Sequence, residues 1–175
     1  ILCGAMIDTL VFDFDGVIID TEKPDFETWQ QEFEDHGVEL DRSLWSEIIG
    51  GGQNWFDVFS HLEELVGREL DEDAVKTRRR KRYLDIVESS PILPGIVDYL
   101  SGARDRGLRV GVASSSSRDW VGGHLTRLGL MEYVATIRCR DDVGSVKPEP
   151  DLFLAAVDGL GSSPETAIAI EDSAN

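Results

Sequence analysis

Positive charge is scarce in this chain. Its 175 residues hold 17 Lys plus Arg against 34 Asp plus Glu, a formal net charge of −17. A surface that acidic repels phosphate backbones and anionic leaflets. It argues against a sequence-independent nucleic-acid binder and against a peripheral membrane protein. Cysteine is scarcer still. Cys3 and Cys139 are too few for a disulfide framework and lack metal-ligand spacing, which suits a reducing, cytoplasmic setting. No apolar run approaches the ~20 residues of a membrane span. The three histidines, His36, His61 and His124, share no ligand spacing and read as structural. No internal repeat or low-complexity tract is present. What remains is ordinary globular composition, with 41% hydrophobic residues. A chain of this size buries roughly 70% of its unfolded surface and needs no staples.

The pattern of elements is α/β. Residues 7–14, Ile-Asp-Thr-Leu-Val-Phe-Asp-Phe, read as a strand running into the turn signal Asp15-Gly16. Further strands are expected at 108–113, 134–139 and 166–170. Helices are expected at 94–106, 118–128 and 151–160. Strands alternating with helices of this length mean βαβ units and a parallel sheet. Residues 21–90 break the rhythm. They contain no convincing strand and read as helices at 25–36, 42–49, 54–66 and 72–88, with Gly37, Gly50-Gly51-Gly52 and Gly67 between them. The simplest organisation is a helical domain, 21–89, inserted after the first strand of a core made of 1–20 and 90–175.

Four short segments carry chemistry. Asp13 and Asp15 end the first strand, and residues two apart on a strand share a side. Two adjacent carboxylates are tolerable with a cation between them or a proton on one. Asp15-Gly16 is equally an ordinary turn. Ser114-Ser115-Ser116-Ser117 follows the second strand and opens a helix, where hydroxyls and backbone N–H groups either hold a phosphate or cap the helix. Lys147-Pro148-Glu149-Pro150 follows the third strand, with two prolines stiffening the approach of one cation. Glu171-Asp172-Ser173 follows the fourth and offers oxygen ligands of the kind Mg²⁺ takes, or an acidic turn. Each alone has a plain structural explanation. Together they lie at the C-terminal ends of strands in one parallel sheet, where open α/β sheets bind ligands.

Those segments, in that order, resemble the motifs of the haloacid dehalogenase-like hydrolase superfamily. Asp13-Phe14-Asp15-Gly16-Val17 matches its first motif, Ser114 its second, Lys147 its third and Glu171-Asp172 its fourth. The resemblance covers essentially the whole chain. It implies a Rossmann-like core with helices on both faces and an inserted helical cap, as in the branch of β-phosphoglucomutase and the sugar-phosphate and nucleotide phosphatases. It also implies a further core helix and strand after Asn175. Without them the fourth strand would show apolar surface.

Carried over residue by residue, the resemblance implies Asp13 as nucleophile forming an aspartyl-phosphate, and Asp15 as acid and base. Ser114, with Ser115 beside it, and Lys147 would hold the phosphoryl group. Mg²⁺ would be held by Asp13, the backbone carbonyl of Asp15 and Asp172, with Glu171 a ligand through water or a supporting carboxylate. The ion and Lys147 would keep Asp13 ionised. Asp at residue 15 fits the phosphatases and mutases, not the dehalogenases. The cap would choose the substrate, with Asp20, Gly51 and Arg118 as candidate contacts.

Phosphatase is favoured over mutase. Asp25 stands where the mutase has a His, no Arg follows Gly50-Gly51-Gly52, and Ser117 replaces a Lys. The expected activity is Mg²⁺-dependent hydrolysis of a small phosphorylated metabolite by a monomer. The alternatives are a phosphosugar mutase and a non-catalytic phospho-accepting domain. In the cap, Trp29, Phe33, Phe56 and Phe59 are expected to form the core. Arg78-Arg79-Arg80-Lys81-Arg82 follows Asp71-Glu72-Asp73 on one helix and reads as a solvated face satisfied by the helix dipole and i,i+4 pairs.

Overall fold

The computed structural model describes residues 6–45 and 56–173. The chain divides into two compact units: residues 1–20 with 91–175, and residues 21–90.

The first unit is a parallel sheet of β1 (Thr9–Phe12), β2 (Arg109–Ala113), β3 (Thr136–Arg138) and β4 (Ala167–Ile170), in the order β3-β2-β1-β4. Every residue of β1 is buried, as expected of a central strand paired on both sides. β3 is shorter than the apolar run predicts, and among the described residues it pairs with β2. Val134 instead closes a 3₁₀ turn over Met131–Tyr133. The strands are connected by helices that we number with those of the second unit in chain order. α1 to α3 belong to that unit. α4 (Ile96–Asp105), α5 (Arg118–Arg127) and α6 (Asp151–Gly159) belong to the sheet unit.

One face of the sheet packs on α6. Val11 and Ala113 cluster there with Leu152, Ala156, Val157 and Leu160. At Gly111 a Cβ would lie 3.0 Å from Thr136 on β3 and 3.1 Å from Leu160 at the end of α6. On β4, Ile168 is exposed, and Tyr99 on α4 is exposed as well. Asp8 knots the other end of the sheet. It accepts hydrogen bonds from Thr9 and Ser162 and pairs with Arg109.

The second unit contains α1 (Glu22–Asp35), a helical turn at 42–45, α2 (Val58–Val66) and α3 (Glu72–Ser89). α1 starts three residues earlier than expected. Pro24 falls in its first turn, where a missing N–H costs nothing. Trp29, Phe33 and Phe59 enter the core with Leu40, Trp45, Leu62 and Val75. Phe56 does not. It stays half-buried, its ring 5.2 Å from that of His61.

The basic run is a solvated face only in part: Arg80 and Lys81 are exposed, whereas Arg78, Arg79 and Arg82 reach acids on α1. Glu32 on α1 is fully buried and accepts from Arg78 and Arg82, while Arg82 also reaches Asp35. Arg79 pairs with Asp25 and covers the Trp29 ring at 4.7 Å. These arginines tie α3 to α1. A buried carboxylate must have such partners, and local spacing along one helix cannot announce them.

The three histidines have structural roles. His36 Nδ1 lies 2.7 Å from the Glu32 carbonyl, His61 packs on Phe33 and Phe56, and His124 is buried between Phe14 and Trp120. Among the described residues no helix is long and apolar enough to cross a membrane.

Candidate active site

The site is built at the C-terminal edge of the sheet. The ladder runs one bond past β1, with the Asp13 amide donating to the Ile170 carbonyl at 2.8 Å. The chain then turns sharply. Gly16 has φ +77°, its amide donates to the Ile19 carbonyl, and Asp15 makes an isolated bridge with Ile19. Only a residue without a Cβ takes this turn readily. A second reason is space. Asp172, just past β4, lies where a Cβ on Gly16 would be.

Asp13 is 6% exposed. Its Oδ1 accepts from the Phe14 amide at 2.7 Å and from Lys147 Nζ at 2.7 Å. Lys147 also donates to Glu171 Oε2 at 2.8 Å and lies 4.7 Å from the Phe153 ring centroid. The lysine following β3 is thus brought onto the acids following β1 and β4. Carboxylate oxygens of Asp13, Glu171 and Asp172 lie within 4.8 Å of one another. They are hard oxygen donors, the set that suits Mg²⁺.

Burial is the largest influence on Asp13 and pushes its pKa up to about 7. Lys147 opposes that rise, and Glu171 adds to it. The expectation that Lys147 helps keep Asp13 ionised therefore holds in direction only. Desolvation outweighs the lysine. Asp172 is raised as well, again chiefly by burial.

Asp15 does not share a cation with Asp13 through its side chain. Its Oδ2 accepts from Ser116 Oγ at 2.6 Å and Ser114 Oγ at 3.1 Å, and its Oδ1 from Trp120 Nε1 at 3.0 Å. The strand has already ended at Phe12, so the alternation expected for residues 13 and 15 does not govern them. Each carboxylate has its own partners, charged for Asp13 and neutral for Asp15. The side-chain metal ligands expected from sequence come together as Asp13, Glu171 and Asp172.

The serine run is divided between its two readings. Ser117 caps α5, its Oγ accepting from the Trp120 amide at 3.3 Å. Ser114 is buried, accepts from the Ser116 amide and donates to Asp15. Ser115 is exposed beside it.

Of the remaining candidates, Asp20 is half-buried at the end of the first segment. Arg118 is not aimed at the cluster. Its guanidinium is held on Asp142 at 2.6 and 2.7 Å. Gly51 lies outside the described residues. Sequence reasoning misses Ser116 and Trp120 as partners of Asp15. The only signal for Trp120 is its place in the first turn of the helix opened by the serine run.

A buried carboxylate thus faces a lysine and two further acids at the C-terminal edge of a parallel sheet. The haloacid dehalogenase-like hydrolase family model matches residues 7–175, and the chain belongs to that family. YhcW of Bacillus subtilis (strain 168), provisionally named a phosphatase, is 44% identical over 170 residues, covering 97% of this chain and 77% of its own. The β-phosphoglucomutase of the same organism is 30% identical over 176 residues, covering 93% and 74%. A solved hydrolase of this family from Deinococcus radiodurans R1, with phosphate and sodium bound, is 28% identical. It superposes with a TM-score of 0.79 over 97% of this chain and 74% of its own.

Proposed function

We propose that this enzyme hydrolyses a small phosphomonoester through a phosphoaspartate on Asp13. The observation that carries the reading is Lys147 bridging Asp13 and Glu171 at 2.7 and 2.8 Å, beside Asp172. That arrangement offers one nucleophile and one cation where a phosphoryl group would meet both. Asp13 Oδ1 accepts from the Phe14 amide and Lys147, and one oxygen of this carboxylate would attack phosphorus while the other faces the metal site.

The bond from phosphorus to the ester oxygen breaks as the bond to the Asp13 carboxylate oxygen forms. Asp15 gives the departing oxygen its proton. It then takes a proton from the water that attacks the phosphoaspartate, so aspartate and inorganic phosphate are regenerated. Lys147 and Ser114 hold the phosphoryl oxygens. Ser114 donates to Asp15 in the structure, and its hydroxyl can re-aim by rotating about one bond. Asp13, Glu171 and Asp172, with the Asp15 carbonyl, would hold Mg²⁺. When bound, the ion keeps Asp13 ionised against its burial and offsets charge on the phosphoryl oxygens.

Two details favour hydrolysis over mutase chemistry. Asp25 holds Arg79, and Ser117 caps α5, so neither supplies the groups the mutase has there. The test is phosphate release from a panel of sugar phosphates and nucleotides, with and without a chelator. Activity that needs a divalent ion and is abolished by Asp13→Asn supports the reading. Full activity in that variant sinks it. Faster interconversion than hydrolysis of glucose phosphates would transfer the assignment to a mutase.

A further inference from the structure

We propose that Trp120 is a positioning residue for Asp15. Its indole N–H fixes the carboxylate that exchanges protons with the ester oxygen and with water. The inference rests on the hydrolase reading above and names a residue that reading does not use.

Asp15 is held at both oxygens by three neutral donors. Two are hydroxyls, Ser114 and Ser116, both on Oδ2. A hydroxyl re-aims by rotating about one bond. When a phosphoryl group takes Ser114, the hold on Oδ2 weakens. The third donor is different in kind. Trp120 Nε1 donates to Oδ1 at 3.0 Å, and an indole N–H cannot turn away unless the whole ring moves.

The ring is braced on two sides. Its backbone amide is fixed by the Ser117 cap at the first turn of α5. The ring meets His124 edge-on, with centroids 4.2 Å apart and planes at 73°. His124 is buried and also packs on Phe14, the residue between Asp13 and Asp15. The path from helix cap to indole to carboxylate keeps Asp15 in place while the serines change partners. A tryptophan present for packing alone would not need to aim its one donor at this carboxylate.

The experiment compares wild type with Trp120→Phe, which keeps an aromatic ring and removes the N–H. The probes are a sugar phosphate and p-nitrophenyl phosphate. The sugar alkoxide is a poor leaving group and needs a proton from Asp15, whereas p-nitrophenolate leaves with little help. Loss of the hydrogen bond that aims this proton donor should lower kcat/KM for the sugar phosphate on the order of 10-fold. The loss for p-nitrophenyl phosphate should be clearly smaller. In an Asp15→Asn background, Trp120→Phe should add little further loss.

Equal losses for both probes, or the same loss with and without Asp15, would mean a merely structural role and overturn the proposal. So would an unchanged sugar-phosphate rate. Should Trp120→Phe fold poorly, ¹⁵N-tryptophan NMR of Asp15→Asn decides. The proposal requires the Trp120 indole signal to shift more than those of the other tryptophans, and no shift overturns it. Wild type that releases phosphate from neither probe overturns the hydrolase reading and, with it, this role. An active wild type with an unaffected variant overturns the role alone.

Discussion

Asp172 lies against the α-carbon of Gly16, so close that a Cβ on residue 16 would overlap the carboxyl and fall 2.8 Å from its Cγ. Two segments distant in sequence, the turn after β1 and the end of β4, are fitted to each other there. Gly16 also holds φ +77°. Replacing it with alanine adds a left-handed penalty of roughly 1–2 kcal/mol, and the new methyl fits only if Asp172 itself moves.

Gly16→Ala should therefore damage activity far more than stability. A misplacement near 1 Å costs roughly 100-fold in rate. Steady-state phosphatase assays, paired with a thermal melt and a Mg²⁺ titration, would check it. A variant with wild-type turnover would show that the close approach does not matter.

The Glu32 cluster predicts a stability effect without a site effect. Arg78→Met leaves a fully buried carboxylate with fewer donors. Removing one partner of a buried pair costs about 3–5 kcal/mol. Arg78 is substantially exposed and Arg82 remains, so about 1–3 kcal/mol is the expected loss. Urea unfolding measures it. An unchanged midpoint would mean that the basic run is a solvated face after all.

Acid should loosen the sheet at Asp8. Hydrogen bonds from Ser162 and Thr9 pull its pKa from 3.8 to about 2, with Arg109 contributing. A depressed carboxylate stabilises the fold above its unfolded pKa. That contribution is fully present above about pH 4 and disappears as pH falls toward about 2. Melting temperatures in acid should drop less steeply for Asp8→Asn than for wild type. Parallel curves would remove Asp8 from the account.

Cys139 should be inert in the folded protein. It is fully buried, and burial pushes its thiol up to about 11. At pH 8 about a thousandth of it is thiolate. In a Cys3→Ser background, a thiol reagent should label nothing until denaturant is added. Rapid native labelling would contradict the burial.

Much of this is legible in the amino-acid order. The order of strands across the sheet cannot be read from it, but the four strand ends can. Asp13, Ser114 and Glu171-Asp172 each follow a β-branched or apolar run, Lys147 follows the third such run after a loop, and a parallel sheet sends all such ends to one edge. The helical unit shows as a break in the alternation of strand and helix. Strand limits are less legible. Hydropathy cannot tell that β3 pairs with β2 and stops at Arg138.

What the amino-acid order determined was the class of site, because period and turn chemistry act over a few residues and set which side chains reach the sheet edge. Only tertiary structure decided the partners. Asp13 takes Lys147 while Asp15 takes Ser114, Ser116 and Trp120. Glu32 captures two arginines, and burial outweighs Lys147 in setting the charge on Asp13. Lys147 and Glu171 stand 24 positions apart in the chain, and Asp15 and Trp120 stand 105 apart. Desolvation and hydrogen-bond geometry are set by such distant groups, and no local pattern records them.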